Sequence, residues 1–259
     1  MIDFMIRLSG VTLELSRLLT IRFVPGHAAN GTHIGKQVAS LIPLWNDGCR
    51  DECEMELLRL SYLAKHLKEI EQADNELLLH FRREFRRAGS AASYFGARFE
   101  AYIAASLIRS GVSFRKSEAP DFLILDSKLG IECTSARLAS ANGKLDLDYK
   151  IQSAINKKAQ SASNRSEVAL AIDITNLAYH GGLSKLADTR AATAEALSDT
   201  RFGSAVLFTY LFNYELSRYE TNYARIDSAS ITPELNALLN TLYPVTGHEV
   251  RRFSIPNEG

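Results

Sequence analysis

The order of helical and strand-like segments predicts an α/β fold with a mixed central sheet flanked by helices, preceded by an N-terminal helical region. Residues 51–88 contain neither proline nor glycine, and their leucines recur at helical spacing. Residues 168–174 and 205–214 are near-continuous apolar runs, which are typical of buried strands. Helical patterns stand between the strand-like runs, as they do in α/β proteins.

Composition sets broad limits on the class of protein. Of the 259 residues, 46% are hydrophobic and 23% are charged, which is ordinary for a globular protein. The formal net charge is zero, so the chain as a whole shows no bias toward nucleic acid or membranes. The three cysteines form no disulfide framework, and we expect a cytoplasmic protein. Charged residues interrupt the first 23 residues, so we predict neither a signal peptide nor a membrane span there.

Residues 1–89 form the predicted helical region, and residues 90–259 form the predicted α/β domain. The leucines before Pro25 predict a short helix or strand, and Thr32 is expected to cap a helix that stops near Pro43. The pattern from residue 51 onward predicts one long helix, or two helices broken near residues 73–75. A helix this long is expected to contact a protein partner or a second copy of the chain.

The end of this long helix is strongly basic. Four arginines surround one phenylalanine: Arg82, Arg83, Arg86 and Arg87. Such a cluster can bind the phosphate backbone of nucleic acid. The alternative is a solvated helix end, where cations complement the helix dipole.

Three carboxylates stand out in the second region. Glu100 lies on a predicted helix, at the border of its apolar stripe. Asp121 follows Pro120 at the start of a short apolar run, and the turn residues after that run predict a hairpin into the next strand. Period-two alternation places Glu132 and Thr134 on one face of that strand. Whether these acids converge on a metal ion is the main functional question.

This order of elements and acids resembles the PD-(D/E)xK nuclease superfamily, which has the restriction-endonuclease-like fold. The resemblance covers about residues 90–215: Pro120-Asp121 looks like the PD element, and Glu132-Cys133-Thr134 stands where (D/E)xK would be. It implies that Glu100, Asp121 and Glu132 bind Mg²⁺, or Mn²⁺ in its place. A cation of this kind takes oxygen ligands, keeps several waters and completes its shell with substrate phosphate.

The chain departs from the family pattern at Thr134, because threonine cannot supply the positive charge of the family's lysine. Members of this superfamily are known to relocate that lysine to a nearby element. On the helix predicted over residues 146–162, Lys158 falls within the apolar stripe that faces the sheet, and its ammonium is expected to extend toward Glu132. The alternative is a lysine whose stem packs while its head reaches water. Weaker candidates are Lys150, Lys157 and Lys128.

The resemblance therefore implies a Mg²⁺-dependent endonuclease that hydrolyses phosphodiester bonds of nucleic acid, and we expect the substrate to be DNA rather than RNA. A role in defence against foreign DNA follows from the resemblance alone. In this account the three carboxylates hold the metal and Lys158 orients the attacking water. The residues expected to contact the nucleic-acid backbone are Arg82, Arg83, Arg86, Arg87 and Lys157.

Two alternatives stay open. The missing lysine and the zero net charge favour a nuclease-fold protein that no longer cuts and binds nucleic acid or protein instead. The three acids also have a purely structural interpretation, as an N-cap, a turn acid and a surface acid. The second alternative is an unrelated α/β enzyme. No glycine-rich phosphate loop and no Gly-x-Ser-x-Gly motif supports such an enzyme.

Overall fold

The computed structural model describes residues 2–24, 31–138, 146–181, 189–213, 218–245 and 251–253. The chain divides into two compact units, Met1–Gly111 and Val112–Gly259. The boundary predicted from the sequence is residue 89, whereas in the structure the helix at Ala91–Arg109 groups with the first unit. Glu100 therefore belongs to the helical unit, and the other predicted site acids belong to the second unit.

Five helices make up the described part of the first unit: α1 (Ile2–Leu19), α2 (His33–Asn46), α3 (Arg50–Ala73), α4 (Asn75–Arg87) and α5 (Ala91–Arg109). The predicted break between α3 and α4 is confirmed. Asp74 stands between these helices, and its side chain accepts a hydrogen bond from the Leu77 N–H at 3.0 Å, which starts α4. The segment predicted as a short helix or strand is α1, a helix of 18 residues.

The cap of α2 agrees with the prediction, but its end does not. The Thr32 hydroxyl oxygen accepts a hydrogen bond from the Gly35 N–H at 3.1 Å. The predicted stop near Pro43 is wrong, because α2 continues to Asn46. Trp45 in this last turn stacks on Phe4 of α1 with ring centroids 4.1 Å apart. This packing offsets the backbone hydrogen bond that a proline cannot donate.

A buried histidine makes the stability of the helical unit sensitive to acid. His66 of α3 is 9% exposed, and its ring meets the ring of Tyr102 edge-on at a centroid distance of 5.4 Å. Burial, together with the positive charges of Arg109, Lys65 and Arg98, lowers the pKa of His66 to about 3. The unfolded chain takes up this proton near pH 6.5. The native state therefore loses stability as the pH falls from 6.5 toward 3.

We expect the free energy of unfolding to fall by about 2 kcal/mol between pH 7.5 and pH 5 through this residue alone. Chemical denaturation at the two pH values, followed by the fluorescence of Trp45, measures this loss because Trp45 lies in the same unit. Over the same pH range, the free energy of unfolding of His66→Phe should fall by about 2 kcal/mol less than that of the wild type. An equal drop in the wild type and the variant would contradict the assignment.

The second unit contains a seven-stranded mixed sheet whose strands follow one another in chain order. The strands are β1 (Phe114–Lys116), β2 (Phe122–Ile124), β3 (Gly130–Ser135), β4 (Val168–Asp173), β5 (Ser204–Asn213), β6 (Arg218–Asp227) and β7 (Arg251–Phe253). β3, β4 and β5 are parallel, and the other neighbouring pairs are antiparallel. The predicted α/β class with a mixed sheet is confirmed, as is the predicted β2–β3 hairpin.

Helices connect the parallel strands. The helix α6 (Leu147–Ala159) follows β3, and α7 (Thr175–Gly181) and α8 (Thr189–Ser198) follow β4. The sequence predicts a final helix over residues 233–242 with proline near its first turn, and α9 (Pro233–Leu242) has these bounds. The sequence also predicts a helix over residues 183–197, which coincides with α8 from residue 189 onward, and residues 182–188 lie outside the described residues. No helix in the described ranges is long and apolar enough to cross a membrane.

The strand register fixes which face of the sheet carries Glu132. Glu132 is in register with Leu170 of β4, and Leu170 is in register with Ala205 of β5. Both apolar residues belong to the core cluster that contains Ile151 and Ile155 of α6. Side chains in register across parallel strands share a face of the sheet. Glu132 therefore faces α6, the helix that carries Lys158.

Candidate active site

The Pro120–Asp121 pair is held in a tight loop between β1 and β2. The Ala119–Pro120 peptide bond is cis, and the Ser117 N–H donates a hydrogen bond to the Asp121 carbonyl at 3.0 Å. The proline ring lies directly against Gly130, the first residue of β3. A Cβ atom at Gly130 would stand 2.3 Å from Pro120 Cγ and 3.0 Å from Pro120 Cβ. The absence of a side chain at Gly130 thus allows the loop to sit against β3.

The Asp121 carboxylate is fixed by two hydrogen bonds. Its Oδ1 accepts one from Lys116 Nζ at 2.9 Å, and its Oδ2 accepts one from the Cys133 N–H at 2.7 Å. The Lys116 ammonium also lies 5.0 Å from the ring centroid of Phe122, within cation–π range. The two charged side chains are 13% and 15% exposed. Asp121 is therefore held in one orientation beside the middle of β3.

Glu132 is the most deeply buried carboxylate of the candidate site. The residue is 3% exposed, and its Oε1 accepts a hydrogen bond from Lys158 Nζ. Its other oxygen, Oε2, is buried and has no hydrogen-bond partner among the described residues. Leaving a buried carboxylate oxygen without a partner is unfavourable, since the group has lost its hydration. A cation bound to this oxygen would compensate for the lost hydration.

Lys158 reaches Glu132 from the last turn of α6. Ile151 and Ile155 hold the helix on the sheet, and Lys158 extends the same stripe. Burial by itself would lower the pKa of the Lys158 ammonium. The hydrogen bond to Glu132 and the negative charges of Glu132 and Asp121 outweigh burial and raise that pKa above its ordinary value. Lys158 is therefore a cation, and both carboxylates are close enough to act on it.

The other predicted site residues lie at several places in the fold. Glu100 is half-buried on α5 in the helical unit. Thr134 is half-buried on β3, and Lys157 is exposed on α6. Among the described residues, no group of three or more His, Cys, Asp or Glu side chains is arranged to hold a metal ion. The structure thus brings together Asp121, Glu132 and Lys158.

Two of the four arginines predicted to bind nucleic acid have contacts within the helical unit. Arg82 Nε donates a hydrogen bond to the Leu18 carbonyl at 2.6 Å, and Arg86 Nη2 donates one to the Thr20 carbonyl at 3.2 Å. These carbonyls lie at the end of α1, where cations also complement the helix dipole. Arg83 and Arg87 are exposed on α4. Arg82 and Arg86 therefore stabilise the helical unit itself, a role that the sequence pattern alone does not distinguish from nucleic-acid binding.

One contact residue of the site, Lys116, was not predicted from the sequence. It stands on β1 opposite Phe122 in the antiparallel register, five positions before Asp121. The sequence contains one signal that could have indicated Lys116. It is a lysine at the end of the first hairpin strand, close in sequence to the Pro-Asp pair.

Comparisons with known proteins add no further assignment. A scan against protein-family models, a search of curated proteins and a search of solved structures each find no match to the chain.

The packing of Pro120 on Gly130 predicts the effect of adding one methyl group. Gly130→Ala should push the loop away from β3 and weaken the hydrogen bond between Asp121 and the Cys133 N–H. We expect unfolding free energy to fall by about 1–3 kcal/mol, as in other overpacked sites. Hydrogen exchange at the Cys133 amide should become faster.

Gly96→Ala is the matched control, since a Cβ atom at Gly96 of α5 would meet nothing within 4 Å. This variant should keep its stability or gain up to about 1 kcal/mol, because alanine favours helix. Unchanged stability and unchanged Cys133 exchange in Gly130→Ala would contradict the described packing.

Proposed function

We propose that this chain is a metal-dependent nuclease of restriction-endonuclease-like fold that hydrolyses phosphodiester bonds of nucleic acid. The observation that carries the proposal is the buried, unpartnered Oε2 of Glu132 in the same cluster as Asp121. Glu132 on β3, Asp121 in the loop before β2 and Lys158 on α6 are three of the four residues that the resemblance implies for the site, and Glu100 is the fourth. A buried carboxylate oxygen that has no hydrogen-bond partner among the described residues can be stabilised by binding a cation.

The residues present fit a hard divalent cation such as Mg²⁺ or Mn²⁺. Mg²⁺ is commonly bound through one or two carboxylates, with waters and substrate phosphate as its other ligands. Glu132 Oε2 would be one ligand. Each Asp121 oxygen accepts one of the hydrogen bonds described above, and a carboxylate oxygen has two lone pairs, so Asp121 retains capacity for a second ligand bond. The part of Glu100 as a further ligand stays a prediction from the resemblance.

The chemistry of the site follows from its charges. When bound, the cation would supply an activated water and offset negative charge on the scissile phosphate. Lys158 contributes a positive charge on the α6 side of the site, where it can attract the phosphate or orient water. Lys116 and the Cys133 N–H keep Asp121 in a fixed orientation, which limits reorganisation when substrate binds.

The topology supports the same proposal. Along the chain, α5 is followed by the antiparallel strands β1, β2 and β3, then by α6 and the parallel strand β4. This is the order of helix, hairpin, strand, helix and strand on which the resemblance rests. Of the three candidate acids, Glu100 lies on α5, Asp121 in the loop before β2 and Glu132 within β3.

A second candidate function is a binding module that no longer cuts. It is favoured by the ion pairs Lys116–Asp121 and Lys158–Glu132, in which the chain itself gives each carboxylate a positively charged partner. Thr134 in place of the family's lysine points the same way. Under this alternative the protein binds nucleic acid or protein through its surface, and cleavage is absent.

A cleavage assay separates the two candidates. The purified chain is incubated with double-stranded DNA, single-stranded DNA or RNA in the presence of Mg²⁺ or Mn²⁺, with a chelator as the control. The nuclease proposal predicts cleavage of at least one substrate that depends on the metal and stops with the chelator. Intact substrates in every metal-containing reaction would contradict the proposal and favour the binding module.

A further inference from the structure

The negative charge of Glu132 is compensated by a neighbouring lysine. The Lys158 ammonium hydrogen-bonds Oε1 of Glu132, while Oε2 of the same carboxylate has no partner among the described residues. A carboxylate this deeply buried needs a compensating positive charge. Lys158 supplies that charge through its hydrogen bond to Glu132, and in the proposed nuclease a divalent cation could supply it instead.

We propose that Lys158 and the divalent cation compete for Glu132, so that binding of the metal releases the Lys158 ammonium from the carboxylate. This inference rests on the proposed function and describes how the same site is regulated. A cation on Oε2 would stand only a few ångströms from an ammonium on Oε1. Like charges at that separation repel strongly where little water screens them. The ion pair and the bound metal therefore oppose each other.

The Lys158 ammonium can move away from Glu132 into solvent. Its side chain is 28% exposed, compared with 4% for Glu132, so the ammonium already borders solvent. Lysine has a flexible four-carbon stem, which can swing without repacking the helix. Lys116 is less exposed, at 13%, and is held by both Asp121 and the Phe122 ring. Of these two lysines, Lys158 is the one whose release requires less change in the surrounding structure.

The competition has a consequence for substrate binding. An ammonium that is paired with Glu132 is not available to a phosphate, whereas a released ammonium on the border of the site is. The metal would therefore bind before nucleic acid makes its contact with Lys158. Linkage requires the coupling to be reciprocal, so weakening the Lys158–Glu132 pair must strengthen metal binding by the same factor.

The test is a calorimetric titration of Mn²⁺ into the full chain, without nucleic acid and at one fixed pH. Lys158→Met should bind Mn²⁺ at least about tenfold more tightly than the wild type, since the competing ion pair is gone. Arg201→Met is the control: it also removes one positive charge from the sheet unit, and Arg201 is exposed just before β5. Its dissociation constant should be the same as that of the wild type.

A second measurement uses the wild-type protein and so does not depend on the folding of a variant. An amine-acylating reagent is applied with and without saturating Mn²⁺, and mass spectrometry compares modification of Lys158 with that of Lys157. Release of the ammonium predicts that the ratio of Lys158 to Lys157 modification rises with metal. A ratio that does not change, or that falls, would overturn the inference.

The outcomes distinguish this inference from the proposed nuclease function. Equal Mn²⁺ affinities in the wild type and Lys158→Met overturn the competition and leave the nuclease proposal intact. Tighter Mn²⁺ binding by Lys158→Met, together with no cleavage of any nucleic acid by the wild type, supports the competition and contradicts the nuclease. Absence of Mn²⁺ binding by both proteins overturns the competition and the cation site together.

Discussion

Glu132→Gln is expected to reduce the rate of metal-dependent cleavage at least about 100-fold. Removing a residue that merely hydrogen-bonds a metal ligand can lower activity by up to about 100-fold, and removing the ligand itself should lower it at least as much. Glutamine keeps the size of the side chain but removes the negative charge that a divalent cation needs. The variant should still fold, since Lys158 is 28% exposed on its side chain and can turn to water once its partner is neutral. Cleavage rates at saturating Mg²⁺, together with circular dichroism of the folded variant, measure both parts of this prediction.

The chain offers a matched control for this substitution. Glu118 lies in the loop between β1 and β2, three positions before Asp121, and its side chain is exposed. Glu118→Gln makes the same chemical change near the site without touching the buried cluster, and we expect cleavage within about twofold of the wild type, as for most exposed positions. Cleavage by Glu132→Gln at the wild-type rate would show that Glu132 is not a ligand for the reaction.

Arg225→Met is expected to have the largest effect on the stability of the sheet unit. The Arg225 side chain is completely buried, and its Nε and Nη2 donate to the two oxygens of Asp227 at 2.8 and 2.9 Å. Its Nη1 donates to Asn240 Oδ1 at 2.8 Å, and Nη2 also donates to Asn236. This arginine therefore connects β6 to α9. Its removal leaves several acceptors unsatisfied, and we expect a loss of about 3–5 kcal/mol.

The measurement must follow the correct unit. Trp45, the single tryptophan, lies in the helical unit, so its fluorescence does not report on the sheet. Hydrogen exchange of the β5 and β6 amides reports the stability of the sheet directly. Arg201→Met is the control, because Arg201 is exposed just before β5 and should change stability by no more than about 0.5 kcal/mol. A loss below about 1 kcal/mol in Arg225→Met would contradict the role of the network.

Much of the fold follows from local patterns in the sequence. The strand predicted over residues 130–135 and the helix predicted over residues 233–242 have the bounds of β3 and α9, because each has a clear start signal. Gly130 opens an alternating run in β3, and Thr232 with Pro233 starts α9. The contact between Lys158 and Glu132 was also predictable. The position of each residue on its own element, combined with a helix that covers the strand, is enough to bring the two side chains together.

Other features depend on contacts that no local pattern contains. The hydrogen bond from the Cys133 N–H to Asp121 requires the loop before β2 to lie against β3, which in turn depends on the space at Gly130. The contacts of Arg82 and Arg86 with the end of α1 join segments more than 60 residues apart. The grouping of α5 with the helical unit also depends on tertiary contacts, because the buried face of α5 packs on α3. These features are set by tertiary packing, which periodicity does not encode.

The most direct test of the central claim is a crystal structure of the chain with Mn²⁺, in which the anomalous signal locates the ion. We predict a Mn²⁺ ion at about 2.1 Å from Glu132 Oε2, with an Asp121 oxygen as a second protein ligand. The Lys158 ammonium should then have moved away from Glu132. An anomalous map with no ion at Glu132, with the Lys158–Glu132 ion pair intact at saturating Mn²⁺, would contradict the account.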